Sequence, residues 1–402
     1  MLMQQGSTNY YSSFFKSDHL IDKDKYIFAE TQRNWKFTII GAGMIGQEHI
    51  RVTMLEGRGE IHGIYDSNSD SRQNTKEMFE KEFPGRGLVV YDSLQEACMD
   101  PASDGLIICT PNFTHLEIVK EAVKSGKHIM LEKPMATTLE DAVELKEMAE
   151  KYQAVFQIGL QYRYKAIYKE AVHEALERKT IGDIKTISIM EHRIPFLDKV
   201  NQWNKFAKYS GGTLVEKCCH YFDLMNLFAQ SKPLSVYAVG DMDVNFRDFH
   251  YDGQDADIID DAFVTVKYEN GMKAQFNLCM FAPMFYEEIT LCGSQGRLKA
   301  YENEDFLPLE RPSTHMEVLS GENGTARVGS PCYPKVIQDS GHNGATYYEH
   351  KYFIDNIQGD TRSTATAEEG FWSIVIGEAA ERSIKTGEVV DIHDMLQQVQ
   401  VK

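Results

Sequence analysis

The fold of the N-terminal part of the chain is decided by Lys36–Ile50, KFTIIGAGMIGQEHI. The apolar run KFTII is typical of a buried strand, and it leads directly into a glycine pattern that opens a helix. At such a turn the first glycine permits the bend, the second lets phosphates approach the backbone, and the third lets the helix pack closely. The phosphates then meet the helix N-terminus. A purely structural glycine turn is the alternative. The predicted dinucleotide-binding residues are Gly41, Gly43, Met44, Ile45 and Gly46.

Short apolar runs alternate with segments of helical periodicity as far as residue 160. After KFTII come IHGIYD, LVVYD, DGLIICTP, HIMLEKP and VFQIGLQ. This alternation is typical of a parallel sheet with helices on both faces, and such a sheet buries uninterrupted apolar runs such as GLIIC. The sequence therefore predicts an α/β, doubly wound Rossmann domain over residues 35–160.

The cofactor is predicted from the residues that end the second and fourth strands. Asp66 lies twenty residues after Gly46. A carboxylate there accepts hydrogen bonds from a ribose 2′-hydroxyl and repels a 2′-phosphate, which favours NAD over NADP. An aspartate that merely serves a turn is the alternative. Three residues that follow the fourth strand at the same sheet edge are expected to line the cofactor: Thr110, Asn112 and His115.

After Tyr162 the hydrophobic period changes. The segment IKTISIMEHRI alternates with period two, and later strand-like segments are joined by short turns such as Glu269-Asn270-Gly271. This pattern predicts an α+β domain over residues 161–402 with a mostly antiparallel sheet. Two helical segments, ATYYEHKYFIDNIQ and AEEGFWSIVIGEAAERSIKTG, close the chain and can pack back on the first domain. Residues 1–34 are predicted to form a polar arm, either disordered or packed on a neighbouring domain or subunit.

Composition excludes several classes of partner. The formal charge is −18, from 60 acidic and 42 basic residues, so nucleic acid is an unfavourable partner. No apolar run approaches the roughly 20 residues that span a bilayer, and the first 34 residues do not resemble a signal peptide. The seven cysteines are scattered without a C-x-x-C pattern. We therefore expect reduced thiols, no metal site and a cytoplasmic location.

Two segments carry residues suited to proton transfer. Glu132-Lys133-Pro134 follows the fifth strand, where a lysine can donate to a substrate hydroxyl; a surface turn is the alternative. The segment GTLVEKCCHYFDLMNLFA is predicted to form one helix. In such a helix Glu216, His220 and Asp223 lie near one face, so a carboxylate can orient the imidazole for proton transfer.

The ordered motifs resemble the glucose–fructose oxidoreductase/inositol dehydrogenase/MocA (Gfo/Idh/MocA) family. The resemblance runs from about Lys36 to Ile392 and is carried by GAGMIG, Asp66, Thr110-Pro111-Asn112, Glu132-Lys133-Pro134, Tyr162-Arg163 and the Gly211-Gly212…Glu216…His220…Asp223 segment. It implies a Rossmann domain plus an open-faced sheet domain, commonly homo-oligomeric through that sheet, and NAD(P)-dependent hydride chemistry at a carbinol carbon of sugars or inositols.

The resemblance also implies roles for particular residues. Lys133 and His220 correspond to the family's catalytic lysine and proton-transferring histidine. Glu216 stands where the family usually has aspartate, and Asp223 matches the aspartate after the histidine. The cofactor set is thereby extended by Glu132, Lys133, Arg163 and Trp203. The expected substrate-binding residues are Lys133, Tyr162, Arg193, Lys199, Glu216, His220, Asp223 and His342.

Two functions remain open from the sequence. The first is an NAD-dependent dehydrogenase of a sugar, a sugar derivative or inositol. The second is an NAD-dependent glycosidase that oxidises, eliminates, hydrates and re-reduces, because the resembling superfamily includes such enzymes. Arg193 and Lys199 lie in a loop predicted to overhang the pocket, where they can bind an anionic substituent such as the sulfonate of a sulfosugar. Exposed loop charges are the alternative.

Overall fold

A computed structural model describes residues 32–282, 284–304, 313–321, 324, 326–360 and 364–400. The predicted arm therefore lies outside the described residues except for its last three positions. The chain divides into two compact units, each built from separate stretches of sequence. The first unit comprises Met1–Glu132, Met148–Gly159 and Pro334–Thr366; the second comprises Lys133–Glu147, Leu160–Tyr333 and Ala367–Lys402.

The first unit contains a six-stranded parallel sheet with the strand order β3-β2-β1-β4-β5-β6. This is the order of dinucleotide-binding folds. All four residues of the central β4 are buried, as expected for a strand covered on both faces. The strands are β1 (Trp35–Ile40), β2 (Gly59–Tyr65), β3 (Val89–Val90), β4 (Gly105–Ile108), β5 (His128–Glu132) and β6 (Phe156–Gly159).

The α-helices of the described residues begin with α1, which follows the glycine turn. None of them combines the length and apolarity needed to cross a bilayer. They are α1 (Met44–Glu56), α2 (Ser69–Glu82), α3 (Leu94–Met99), α4 (His115–Ala122), α5 (Leu139–Lys151), α6 (Ala166–Val172), α7 (Ala207–Ser210), α8 (Thr213–Glu216), α9 (Cys219–Ala229), α10 (Lys335–Gln338), α11 (Ala345–Ile357), α12 (Ala367–Thr386) and α13 (Ile392–Gln400).

Helix α11 comes late in the sequence but belongs to the first unit. Its Phe353 and Ile354 are fully buried in one cluster with Phe37 and Ile39 of β1 and Ile50 of α1. The rings of Phe353 and Phe37 lie 5.7 Å apart. Each such side chain contributes roughly 1.5–3 kcal/mol when buried, so the core of this unit depends on residues far along the chain.

The second unit contains a nine-stranded sheet in the order β16-β15-β14-β13-β7-β12-β11-β8-β17. Only β7 and β12 pair in parallel; the other neighbours are antiparallel. The strands of this unit are β7 (Ile184–His192), β8 (Pro233–Asp241), β9 (His250–Tyr251), β10 (Gln254–Asp255), β11 (Asp261–Tyr268), β12 (Lys273–Cys279), β13 (Phe285–Gly293), β14 (Gly296–Glu304), β15 (Ser313–Ser320), β16 (Ala326–Gly329) and β17 (Val390–Asp391).

Among the described residues, one face of this sheet is covered and the other is open. Buried and exposed residues alternate along β11, and α12 packs against β8 on the buried side. The outer side carries exposed apolar residues on neighbouring strands: Tyr237, Val239 and Phe263 are 42%, 48% and 60% exposed. The predicted fold class, a Rossmann sheet followed by an open-faced, mostly antiparallel sheet, is confirmed.

Three local predictions were wrong. The single helix expected over GTLVEKCCHYFDLMNLFA is divided into α8 and α9, because the hydrogen bonding changes at Lys217 and Cys218, where Tyr221 N bonds to Cys218 O. Strands β15 and β16, which extend the sheet beyond β14, were not anticipated. A further helix, α13, follows the two that were expected to close the chain.

Candidate active site

The glycine turn of the first unit leaves room for a ligand at one position only. Gly41 has φ +99°, and a Cβ there would lie 2.7 Å from the carbonyl carbon of Cys109. A Cβ on Gly46 would lie 2.1 Å from Gly41 O, so both glycines are required by close packing. A Cβ on Gly43 would meet nothing within 4 Å. The backbone at Gly43 therefore faces open space, where a pyrophosphate can approach it.

The N-terminus of α1 is suited to an anionic group. Its N-cap is Gly43, which supplies no side-chain hydrogen bond, and its first turn, which includes Met44 and Ile45, contains no acidic residue. The first N–H groups of a helix have no partner within the helix, and the helix dipole places partial positive charge there. The residues present thus fit the phosphates of a dinucleotide.

Asp66 connects the end of β2 to the glycine turn. Its Oδ2 accepts a hydrogen bond from Ala42 N at 2.8 Å, and its Oδ1 accepts one from Asn68 N at 2.8 Å. Because a carboxylate has about four acceptor positions, both oxygens can also receive ribose hydroxyls. Asp66 is only half-buried, as such a contact requires.

The predicted residues after β4 adopt a compact turn. His115 is fully buried, and its Nε2 lies 3.0 Å from Thr110 O, so the histidine holds this turn. The Nδ2 of Asn112 is buried and has no hydrogen-bond partner among the described residues. A buried amide donor without a partner is costly, so a ligand that accepts from Asn112 would stabilise this edge.

Glu132 lies in the interior of the first unit instead of at a surface turn. Its Oε1 is 2.9 Å from Nε2 of His49 in α1, and Glu349 of α11 completes a buried group. One potential ligand atom from each of these three residues lies within 4.8 Å of the others. Neither carboxylate oxygen of Glu349 accepts a hydrogen bond from a described residue. No sequence motif predicts this cluster, because its three members come from distant segments of the chain.

Hydrogen bonds around His49 fix the protonation of this cluster. Nδ1 of His49 lies 2.7 Å from Nε2 of His350, whose Nδ1 lies 3.2 Å from Thr53 Oγ1. Burial and the neighbouring His49 lower the pKa of His350 well below its usual value. Burial opposes the charged form of His49, but Cys109 and Glu132 hold its pKa well above the usual value. His49 is therefore the cationic imidazole and His350 the neutral one.

The second unit brings together Lys133 and the α8–α9 segment. Lys133 begins this unit, and its peptide bond to Pro134 is cis. Its Nζ donates a hydrogen bond to the carbonyl oxygen of Glu216 at 3.1 Å. The lysine is thus anchored at the residue where α8 ends, four positions before His220.

Glu216 is surrounded by cations. Burial alone would raise the pKa of this carboxyl group, but Lys133, Lys199, Lys217 and Arg193 together lower it. Glu216 therefore carries a negative charge in the folded protein. The charged groups that act on it most strongly are basic side chains, and two of them, Arg193 and Lys199, were predicted to bind substrate.

His220 stacks on Tyr162. The two ring centroids are 4.0 Å apart and the rings are inclined by only 8°. The hydroxyl of Tyr162 in turn accepts a hydrogen bond from Lys217 Nζ at 2.7 Å. The imidazole is therefore held in one orientation by an aromatic ring that is itself fixed.

Asp223 does not join this group through its carboxylate. Arg163 donates to both of its oxygens at 2.5 Å, and the same guanidinium lies 2.8 Å from Glu369. Despite the arginine, burial raises the pKa of Asp223 to about 6. Asp223 and Arg163, which were predicted to contact substrate and cofactor, form a buried ion pair.

Sequence reasoning missed Lys217 and the carboxylate that faces it. Lys217 Nζ lies 3.0 Å from Oε1 of Glu191, which is fully buried on β7. The signal was present in the strand pattern, because Ile187, Ile189 and Glu191 alternate on the same buried face. A carboxylate at an apolar position of a period-two strand indicates a buried cation nearby.

Comparison with known proteins identifies the family. The description "Oxidoreductase family, NAD-binding Rossmann fold" matches residues 35–160, and "Oxidoreductase family, C-terminal alpha/beta domain" matches residues 173–392. The chain belongs to the Gfo/Idh/MocA oxidoreductase family. The predicted NAD-binding Rossmann domain is thereby confirmed.

Individual Gfo/Idh/MocA relatives are distant. The chain is 25% identical to myo-inositol 2-dehydrogenase of Thermotoga maritima over 361 residues, which cover 89% of this chain and 98% of the relative. It is 30% identical to glucose-6-phosphate 3-dehydrogenase of Bacillus subtilis over 215 residues, which cover 53% of this chain and 59% of the relative. Levoglucosan dehydrogenase in complex with NADH has the same fold, with a TM-score of 0.74, 19% identity and coverage of 89% and 99%.

The remaining predicted site residues fall in both units of this Gfo/Idh/MocA chain. Trp203 is buried in the second unit, and Lys199 Nζ lies 5.0 Å from the centre of its ring. Arg193 is in the same loop region, beside Glu191. His342 is in the first unit, where its Nδ1 lies 2.8 Å from Oε1 of Glu48. The structure thus gives His342, which lies just before α11, a carboxylate partner on α1.

Proposed function

We propose that this protein is an NAD-dependent dehydrogenase that oxidises a carbinol carbon of a sugar, a sugar derivative or inositol. The observation that carries this proposal is the anchoring of Lys133 Nζ on Glu216 O, four positions before His220, whose ring stacks on Tyr162. The names of the relatives, myo-inositol 2-dehydrogenase and glucose-6-phosphate 3-dehydrogenase, support the substrate class. The glycine turn and Asp66 support NAD as the cofactor.

The proposed chemistry divides the work between two side chains. Bound NAD supplies the hydride acceptor. His220 takes the hydroxyl proton of the carbinol, and the ammonium of Lys133 stabilises the oxyanion that develops on the same oxygen. The carbinol C–H bond breaks with transfer of its electron pair as hydride, so a ketone and one proton are formed. Fixing both groups before reaction avoids the cost of ordering them.

The decisive experiment follows NADH formation with a panel of sugars and inositols, using NAD and NADP in parallel. Lys133→Met and His220→Asn are each expected to lower kcat/KM by about 10²- to 10⁴-fold, the usual contribution of a positioned acid or base. Lys208→Met is the matched control, because Lys208 is exposed and its contacts are a hydrogen bond to Gln254 and the ring of the neighbouring Tyr209. Wild-type turnover by Lys133→Met would refute the site assignment.

The same assay addresses the second function. Oxidation of a ring hydroxyl acidifies the neighbouring C–H bond, so a glycosidase can use the same first step. Aryl glycosides are therefore included, and aglycone release is followed together with NADH. Aglycone release at catalytic NAD without accumulation of NADH would replace net oxidation by glycoside cleavage.

We further propose that the protein self-associates through the open face of the nine-stranded sheet. The exposed side chains of Tyr237, Val239 and Phe263 on β8 and β11 support this, since neighbouring exposed apolar residues mark interaction surfaces. Sedimentation at micromolar concentration is expected to give a mass that is a multiple of 45.9 kDa. A mass equal to that of one chain would contradict the proposal.

A further inference from the structure

Basic side chains converge on one part of the second unit although the whole chain is strongly acidic. Lys133, Lys199, Lys217 and Arg193 all act on the carboxylate of Glu216. The adjoining carboxylates are Glu191, which Lys217 and Arg193 approach, and Glu287 and Glu302, which share Lys165. Four cations thus act on the one carboxylate of Glu216, although the chain as a whole has a net charge of −18. A locally positive region on an acidic protein is typical of an anion-binding site.

Arg193 is the cation of this cluster that is best prepared to bind a ligand. Its guanidinium lies 5.4 Å from the ring centre of Phe196 and 5.9 Å from that of Phe285. Its Nε donates to Ile194 O at 3.0 Å, which fixes the plane of the group. The side chain is only 15% exposed. Rings and backbone therefore hold the guanidinium in place before any ligand arrives.

The terminal nitrogens of Arg193 retain donor capacity. Nη1 lies 3.5 Å from Glu191 Oε1, and the terminal N–H groups make no hydrogen bond to a described residue. Guanidinium has five N–H donors in a planar fork that matches the two oxygens of an oxyanion. Lys217 Nζ donates to Tyr162 and forms an ion pair with Glu191, so we expect it to contribute mainly positive potential.

We propose that the substrate carries an oxyanion group, a carboxylate, phosphate or sulfonate, and that Arg193 binds it, with Lys199 and Lys217 adding positive potential. This inference rests on the proposed sugar or polyol oxidation. The oxyanion lies away from the carbon that is oxidised, because Lys133 and His220 serve the reacting hydroxyl. Arg193 is thus a specificity-determining residue and the anion is part of what the enzyme recognises.

The test compares neutral and anionic members of matched pairs: glucose against glucuronate, glucose 6-phosphate and glucose-6-sulfonate, and galactose against galacturonate. For the wild-type protein we expect kcat/KM for the anionic member to exceed that of its neutral partner by roughly 10- to 100-fold, the value of hydrogen bonds to a charged group. Arg193→Gln is expected to abolish this preference, measured as the ratio of kcat/KM for the anionic member to that for its neutral partner. The three anions distinguish carboxylate from phosphate and sulfonate.

Two controls separate failure of this inference from failure of the proposed function. Arg297→Gln removes an exposed arginine of β14 that pairs with Glu317, and it is expected to leave the preference unchanged. Inorganic sulfate is titrated without any sugar, and wild-type protein is expected to bind it at least 10-fold more tightly than Arg193→Gln. Equal use of neutral and anionic sugars, or sulfate binding that does not depend on Arg193, would overturn the inference. If no sugar is oxidised but sulfate binding requires Arg193, the anion site stands and the proposed oxidation fails.

Discussion

Two buried groups of carboxylates, one in each unit, lie in opposite electrostatic surroundings. In the first unit Glu132 pairs with His49, and Glu349 lies beside both. In the second unit Glu191, Glu287 and Glu302 stand directly opposite one another on adjacent strands β7, β13 and β14. Lysines reach this row from other elements: Lys217 contacts Glu191, while Lys165 contacts Glu287 and Glu302.

The difference appears in the direction of the pKa shifts. Burial and the nearby Glu132 raise the pKa of Glu349 well above its usual value, so this carboxyl group is neutral. Burial has the same tendency at Glu287, but Lys165 and Lys217 reverse it and lower the pKa. Glu349 of the first unit is therefore protonated in the interior, whereas Glu287 of the second unit is ionised and faces fixed positive charges. A unit that binds a charged ligand benefits from such fixed charges, since they need no rearrangement on binding.

The largest expected effect follows from removing Lys165 from the second unit. This lysine is 2% exposed, and Lys165→Met leaves two facing carboxylates without their cation. We expect the free energy of unfolding to fall by about 3–5 kcal/mol, the usual cost of breaking a buried ion pair. Chemical denaturation followed by circular dichroism measures this loss.

A set of matched variants tests whether the destabilisation by Lys165→Met is caused by uncompensated charge. Lys185→Met removes a lysine that is 62% exposed and is expected to change stability by less than about 0.5 kcal/mol. Adding Glu287→Gln and Glu302→Gln to Lys165→Met should recover part of the loss, since it removes the uncompensated charges. A triple variant no more stable than Lys165→Met would indicate lost packing instead.

The protonation of Glu349 in the first unit predicts a pH-dependent effect. A carboxyl whose pKa is raised by folding stabilises the protein fully below its unfolded pKa, about 4.5, and this contribution is lost as pH rises through the folded pKa. Glu349→Gln imitates the neutral form at every pH. Relative to wild type, we expect it to gain about 1.4 kcal/mol for each pH unit across that window.

Thermal unfolding at several pH values between 4 and 8 measures this difference. Glu117→Gln is the control, because its carboxylate is 77% exposed and pairs only with Lys120 among described residues. A stability difference between Glu349→Gln and wild type that does not change with pH would mean that Glu349 is ionised in the folded protein.

The smallest expected effect concerns Asp66, a carboxylate of the first unit held by backbone amides and not by a cation. Asp66→Asn keeps an acceptor for Ala42 N but removes the charge that repels a 2′-phosphate. We expect the ratio of kcat/KM for NAD to that for NADP to fall roughly 10-fold, or about 1.4 kcal/mol. Asp92→Ala, a change at another exposed aspartate of this unit, should leave the ratio unaltered; the same ratio in Asp66→Asn would refute the role of Asp66.

The parts of the fold that the sequence predicted are those coded by neighbouring residues. The glycine turn, the six apolar runs of the first sheet and the alternating strands of the second each lie within one short window. The break at Lys217 and Cys218 escaped prediction, because both residues keep right-handed helical angles and only the pattern of hydrogen bonds changes.

For the same reason, only some residues of the candidate site were predicted. Lys133, Glu216 and His220 were found through ordered motifs, and the structure brings Lys133 to Glu216. The partners that give these residues their environment, Glu191 and Lys217, come from a strand and a helix break whose proximity depends on tertiary packing. A single sequence indicates which side chains are unusual but does not indicate which of them meet.

The position of α11 has a consequence for biosynthesis. The first unit draws Pro334–Thr366 from the far end of the chain, and Phe353 and Ile354 complete its core. When only the N-terminal part of the chain has left the ribosome, β1 and α1 still lack α11, the helix that completes their core. The nascent Rossmann sheet, whose last strand ends at Gly159, therefore stays partly uncovered until about two hundred further residues, to Ile357, have been translated, and a chaperone can act in that interval.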